Sequence, residues 1–190
     1  MARWEPDARE RLVRAALDLF AEQGYDNTTV AQIAERAGLT KSTFFRHFPD
    51  KREVLAAGQD TLCQLFEEGI AAAPASATPL EAVAAGLDAA AEAFTPERRD
   101  LGRKMQAAIA ASRELQERDT LKRVGLATAI TDALQKRGVP DPTASLAAEI
   151  GILALGTAHA RWSDPANRQE LAVLARKSLN ELKTASVALG

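Results

Sequence analysis

With 190 residues, 46% of them hydrophobic and 26% charged, the chain has the makeup of an ordinary soluble globular protein able to bury one sizeable core and carry a small appended module. A formal net charge of −2, with eight Lys/Arg against eight Asp/Glu in residues 1–51, excludes reading nucleic-acid binding from bulk charge; any DNA surface must be a local patch. The single cysteine, Cys63, excludes an internal disulfide, no signal peptide opens the chain, and the most apolar stretch, about 144–158, is too short for a membrane span and carries Glu149, so a cytoplasmic location is expected.

Alanine, leucine, glutamate and arginine dominate and β-branched residues rarely cluster, so summed propensity predicts an all-α fold. Asp7 and Glu10 have capping-box spacing ahead of Leu12, Ala15, Ala16, Leu19 and Phe20, and Gly24 offers a left-handed stop to this first helix. Thr28-Thr29 precede a short second helix with Val30, Ile33, Ala34 and Ala37, ended by Gly38. Thr40 caps a third, with Phe44 and Phe48 on one face, broken by Pro49-Asp50. Asp50 and Glu53 read as another capping box, opening a long fourth helix through Val54, Leu55, Leu62, Leu65, Phe66 and Ile70.

Pro74 to Pro79 is the clearest turn, after which Thr78-Pro79-Leu80-Glu81 restarts a helix with cap, N1 proline and N3 glutamate in place. The Ala-rich run 71–93 keeps helical spacing in its leucines, valine and phenylalanine. Thr95-Pro96 opens a helix to about Ala111, and another runs from about Arg113 to Arg137 and ends at Gly138. Asp141-Pro142 opens the next, ending near Trp162, and Asp164-Pro165 leads into the last. That makes about nine helices and no convincing strand.

The segment 24–55 holds nearly all the functional information. Two short helices separated by Ala37-Gly38-Leu39-Thr40 match a helix-turn-helix, with glycine free to take the positive φ of the turn and Leu39 able to plug the angle between helices. The second of them opens with Thr40, Lys41, Ser42 and Thr43, short or flexible donors at the helix tip that a recognition helix turns toward base edges. Phe45, Arg46 and His47 lie off the core face, placed for sugar and phosphate, and Lys51 adds a positive charge beside a helix N-terminus. No acidic residue interrupts 40–49.

Here the sequence resembles the TetR family of bacterial regulators, closely over about residues 9–56. The resemblance is carried by Ala15-Ala16-Leu17, Leu19-Phe20, Gly24-Tyr25, Thr28-Thr29-Val30, Ile33-Ala34, Ala37-Gly38, Thr43-Phe44-Phe45-Arg46-His47-Phe48 and Lys51. It implies DNA contacts from Thr28 or Thr29, Lys41, Ser42, Thr43, Arg46, His47 and Lys51. One departure is Phe45, where many members have tyrosine; a phenolic contact to phosphate is then missing, and van der Waals contact with sugar or a thymine methyl remains.

The resemblance also implies an N-terminal helix-turn-helix DNA-binding domain at 1–50, the motif itself at about 30–49, and a larger helical effector-binding and dimerisation domain at 51–190. In that domain helices 5 to 7 would surround a ligand cavity, and helices 8 and 9 would form a four-helix dimer interface. The residues support a homodimer independently: Leu146, Ile150, Gly151, Ile152, Leu153, Leu155 and Gly156 make 143–162 apolar all round, with Gly151 and Gly156 free for close approach. The last helix places Leu171, Leu174, Ala175, Ser178, Leu179, Leu182 and Ser186 near a seam.

Cys63, Phe66, Phe94, Met105 and Ile109 are candidates for a cavity wall or equally for filled core, since the two share a composition. His159 and Trp162 could line or gate such a pocket, but the favoured reading packs Trp162 at a helix end or seam and pairs Arg161 with an acid. Arg103 and Lys104 read as solvated charges. Sparse charge facing inward from helices 5 to 7 points to a small apolar or aromatic effector.

Two histidines and one cysteine provide no recognisable triad, no metal-ligand spacing appears, and no glycine-rich phosphate loop is present, so neither enzymatic activity nor a cofactor or metal is expected. The expected function is a repressor released from a palindromic double-stranded DNA operator by an effector. The competing reading is a DNA-tethered adaptor that recruits a protein partner without any small molecule.

Overall fold

The structure, a computed structural model, describes residues 8–188, so the expected cap at Asp7 lies outside the described residues. Those residues form nine α-helices and no strand: α1 (Ala8–Gln23), α2 (Val30–Arg36), α3 (Lys41–His47), α4 (Gln59–Ala72), α5 (Pro79–Ala91), α6 (Arg99–Ala111), α7 (Arg113–Lys136), α8 (Asp141–Ser163) and α9 (Leu171–Val187). None is long and apolar enough to cross a membrane.

Local chemistry sets most of the ends. Thr29 caps α2 and Gln32 reaches back to its backbone N–H at 2.8 Å; Thr78 and Glu81 close the same reciprocal box on α5, with Pro79 at N1. Thr40 Oγ1 accepts from Thr43 N to start α3. The expected fourth helix is not continuous. Asp50 does cap the backbone N–H groups of Arg52 and Glu53, but the chain then winds only a short 3-10 segment, Arg52–Ala56, before Gly58 turns left-handed at φ 82° and α4 begins. Nor does Glu53 complete a capping box; its carboxylate is taken by Arg118.

The chain divides into two compact units. The first takes in residues up to Ala57 and the return segment 100–122; the second takes in 58–99 and everything from Arg123 on. The first unit therefore runs past the expected break at residue 50 and recruits most of α6 with the start of α7. Its core joins Leu12, Leu17 and Phe20 of α1 to Ile33, Phe44, Phe48, Val54 and Leu55, and Ala108 and Leu115 of the return segment complete it. Burying apolar side chains of this size is worth roughly 1.5–3 kcal/mol each.

In the second unit α4 and α5 approach closely. A Cβ added at Gly69 would lie 2.6 Å from the Ala85 carbonyl oxygen, and one at Gly86 would lie 2.8 Å from Phe66 Cδ1. The Ala-rich α5 also packs on α8 and α9, burying Ala82, Val83, Leu87 and Ala90. Arg137, at the end of α7, donates to the carbonyls of Ile70 (3.0 Å), Ala73 (2.9 Å) and Pro74 (2.6 Å), so the C-terminal end of α4 is held by one guanidinium.

The outer stripe of α8 is Pro142, Leu146, Glu149, Leu153, Gly156 and Ala160, all exposed and spaced four and three apart; Leu146 keeps 62% and Leu153 47% of its surface. On α9 the matching stripe is Val173, Lys177, Asn180, Thr184 and Val187. Two details differ from the seam drawn from sequence. Leu171, Leu174, Ala175, Ser178 and Leu179 are buried inside the unit, because α9 must first cover α5 and α8. Of the two glycines, Gly156 faces open space, whereas a Cβ at Gly151 would strike Val83 Cγ1 at 2.6 Å, so Gly151 serves the interior.

Candidate nucleic-acid interface

The first unit is a scaffold for α3. Gly38 takes φ 65° in the turn and Leu39 packs, half-buried, against the core between α2 and α3. From α1, the Arg11 guanidinium bonds the Ala37 carbonyl at that turn, satisfying an acceptor at the end of α2. Phe44 and Phe48 are buried with ring centroids 5.6 Å apart, and Arg9 lies 5.5 Å over the Phe48 ring. Anchoring two aromatic rings fixes the rotation of α3, and that decides which residues face out.

Lys41, Ser42, Phe45 and Arg46 face out. Phe45 keeps 49% of its surface, and Lys41 Nζ sits 5.9 Å over its ring. Thr40 is exposed and Thr43 half-buried; their hydroxyls are 2.9 Å apart. Thr29, exposed at the N-terminus of α2, spends its Oγ1 on Gln32. His47 is half-buried and its Nε2 is buried without a hydrogen-bond partner, which leaves Nδ1 as the nitrogen able to meet a phosphate.

Two residues of the expected contact set are placed differently. Thr28 is 1% exposed and its Oγ1 donates to the Gly24 carbonyl at 2.7 Å, so this hydroxyl locks the α1–α2 turn instead of facing solvent. Lys51 turns back into the unit: Nζ donates to the carbonyls of Tyr25 (2.7 Å) and Thr28 (3.0 Å) and lies 4.0 Å over the Tyr25 ring. Its charge holds the turn before α2 together.

The return segment is fastened to this head by polar pairs that sequence spacing does not show. The Tyr25 hydroxyl donates to Glu114 at 2.7 Å, and burial, reinforced by that carboxylate, pushes its pKa above the ordinary phenol range. Arg118 grips Glu53 bidentately at 2.8 and 2.9 Å. Lys104, read as a solvated charge, instead joins Asp18 of α1 at 2.7 Å and Asp100 at 3.0 Å; the Asp18 bond and then the Asp100 bond raise its pKa. Arg103 pairs with Asp100 on the surface.

The seven residues weighed for a pocket are split between the units. Met105 and Ile109 pack against the core of the first unit. Phe66 is fully buried, wedged where α4 meets α5, and serves as core. Cys63 is half-buried on α4. The remaining three meet: the Phe94, His159 and Trp162 rings stand 5.4–6.1 Å apart, with Phe94 in the turn beyond α5 rather than on it. Trp162 is 2% exposed, and Arg161 pairs with Glu181 at 2.8 Å, as the packing reading anticipates. No group of His, Cys, Asp and Glu able to hold a metal occurs among the described residues.

Residues 12–57 match the family model of bacterial regulatory proteins, tetR family. The chain is 43% identical over 75 residues to the HTH-type transcriptional regulator TcmR of Streptomyces glaucescens, a match covering 40% of this chain and 33% of that protein. It is 35% identical over 96 residues to the HTH-type transcriptional regulator BetI of Rhizobium meliloti, covering 49% of this chain and 47% of the relative. These matches span half or less of each relative's length. The fold extends further: Thermus thermophilus FadR, a TetR family transcriptional repressor solved in complex with lauroyl-CoA, is 26% identical and superimposes with a TM-score of 0.55 over 92% of both chains. Residues 12–57 are thus a helix-turn-helix similar to that of the tetR family of bacterial regulatory proteins, in an all-helical setting similar to that of Thermus thermophilus FadR.

Proposed function

We propose that this protein is a cytoplasmic transcriptional repressor that binds a palindromic operator as a homodimer and is released by a small-molecule effector held in its second unit. The observation that carries the DNA-binding part is the outward face of α3. A tip free of acidic residues, with Lys41, Ser42, Phe45 and Arg46 exposed on a helix pinned by Phe44 and Phe48, is what a major groove accepts. Thr40 and Thr43 border this face, exposed Thr29 opens α2, and His47 Nδ1 and Arg46 would serve the phosphates.

The dimer reading is supported by the exposed 4-3 stripes of α8 and α9, which are spaced for helix packing against a second copy. An effector reading draws support from Thermus thermophilus FadR, seen with lauroyl-CoA. The effector acts through its different affinity for the DNA-competent and DNA-incompetent states, a coupling of about 1–3 kcal/mol in typical cases.

Selection of duplexes from a random pool, with footprinting of the winners, tests the reading. The selected sites should be inverted repeats whose half-sites lie one or more helical turns apart, about 34–36 Å per turn. Recovery of unrelated sequences, bound only at low salt, would overturn sequence-specific regulation.

A further inference from the structure

The second unit holds a guanidinium with no anion. Arg99, the first residue of α6, stacks over the Trp162 ring at 5.1 Å and donates Nη1 to the Asn167 carbonyl at 3.1 Å, while its buried Nε meets no acceptor. No carboxylate pairs with it among the described residues. Next to Trp162 in the chain, Ser163 is 4% exposed and its buried Oγ also lacks a partner. A buried guanidinium N–H and a buried hydroxyl left without partners each carry a desolvation cost, although Arg99 as a whole is half-buried. Finding one stacked on the Trp162 ring and the other next to Trp162 in the chain, together with a half-exposed Phe94 and His159, points to a missing partner.

Resting on the effector reading of the second unit, we infer that the effector is an acid: a planar or apolar body packed on Phe94, His159 and Trp162, with a carboxylate or another oxyanion taken by Arg99 and Ser163. The guanidinium fork matches two oxygens of such a group, and the serine hydroxyl donates to one of them. The aromatic edge supplies contact for the body without fixing its length. Arg99 is also the last residue of the second unit before the chain enters the first, so the anion is bound at the start of the helix whose later residues, Lys104 among them, are fastened to the DNA-reading head. The sequence-level expectation of an apolar or aromatic effector is thereby sharpened to one that also bears a negative charge.

Trp162 reports on the site directly once Trp4→Phe removes the other indole. The probes are 1-naphthoate and decanoate, each against its neutral counterpart, 1-naphthamide and 1-decanol, with binding read by quenching of Trp162 emission. At least one acid should bind about 30-fold tighter than its neutral partner, since bonds to a charged group are the strong ones. Arg99→Gln should cut that preference to about 3-fold or less, Arg99→Lys should leave it intermediate, and Ser163→Ala should weaken the acid alone by about 3- to 10-fold.

Equal binding of acid and neutral probe, a preference that survives Arg99→Gln, or no binding by any of the four would overturn the inference. If Arg99→Gln does not fold by circular dichroism, Arg99→Lys and Ser163→Ala carry the test, and an unchanged preference in both overturns it. Operator release is read separately by anisotropy of a labelled selected duplex. Acid binding through Arg99 without release would spare the site and sink the effector part of the repressor reading. Release by a neutral compound, indifferent to Arg99, would do the reverse.

Discussion

Lys41 and Lys51 separate two uses of the same side chain. Lys41 is exposed and its charge is available to the duplex; Lys51 is committed to two backbone carbonyls and an aromatic ring. Lys41→Ala should therefore weaken all duplexes alike and lower the salt slope of binding by about one unit, with no change in urea unfolding. Lys51→Met should instead cost about 1–3 kcal/mol of stability, because the Tyr25 and Thr28 carbonyls lose a charged donor, while the salt slope of the folded fraction stays unchanged. A lowered slope for Lys51→Met would return that residue to the phosphate-contacting set. Sequence spacing told which face of α3 is free, since period and core aromatics decide that. It could not tell that Lys51 and Lys104 are committed within the fold, because their partners lie at Tyr25 and Asp18, and only tertiary folding brings a lysine of α6 to an aspartate of α1.

At the scale of elements, what was readable in the sequence is what is decided locally. The caps at Thr29, Thr40 and Thr78 and the stop at Gly138 involve groups within a few residues of one another, and the structure keeps them. The interruption at Gly58 was not readable, because Val54, Leu55 and Leu62 continue a helical apolar pattern across it. It falls where the chain passes from one unit to the other. Nothing lies within 4 Å of a Cβ added there, so Gly58→Ala probes backbone conformation alone. The φ of 82° should make alanine destabilising by about 1–2 kcal/mol in urea unfolding, with Gly58→Asn costing less. Should Gly58→Ala stabilise the protein and raise its helical circular dichroism signal, the break would be a weak preference and the continuous helix the sequence pattern favours would be within reach.

For the whole molecule, sequence order misled in one respect: residues 100–122 belong with the N-terminal head, which no periodicity announces, because Tyr25–Glu114 and Glu53–Arg118 are pairs of distant residues. The dimer argument is of a different kind, since it rests on the surface one chain leaves uncovered. Inside the unit α9 already spends its leucines on α5 and α8, so the proposed second copy would be met by the opposite faces, Leu146 and Leu153 with Gly156 on α8 and Val173 on α9. Leu153→Glu puts a charge in the middle of that stripe, where two copies related by a twofold axis would bring two carboxylates toward one seam. The variant should be monomeric by light scattering and keep its helical circular dichroism, since Leu153 is 47% exposed in the single chain. It should also lose operator affinity by far more than any single phosphate contact costs, because on the proposed reading one head would grip only half of a palindrome. If Leu153→Glu remained dimeric, α8 would not be the seam. If it became monomeric yet bound the full operator undiminished, the requirement for two heads would fall, and with it the symmetry expected of the site.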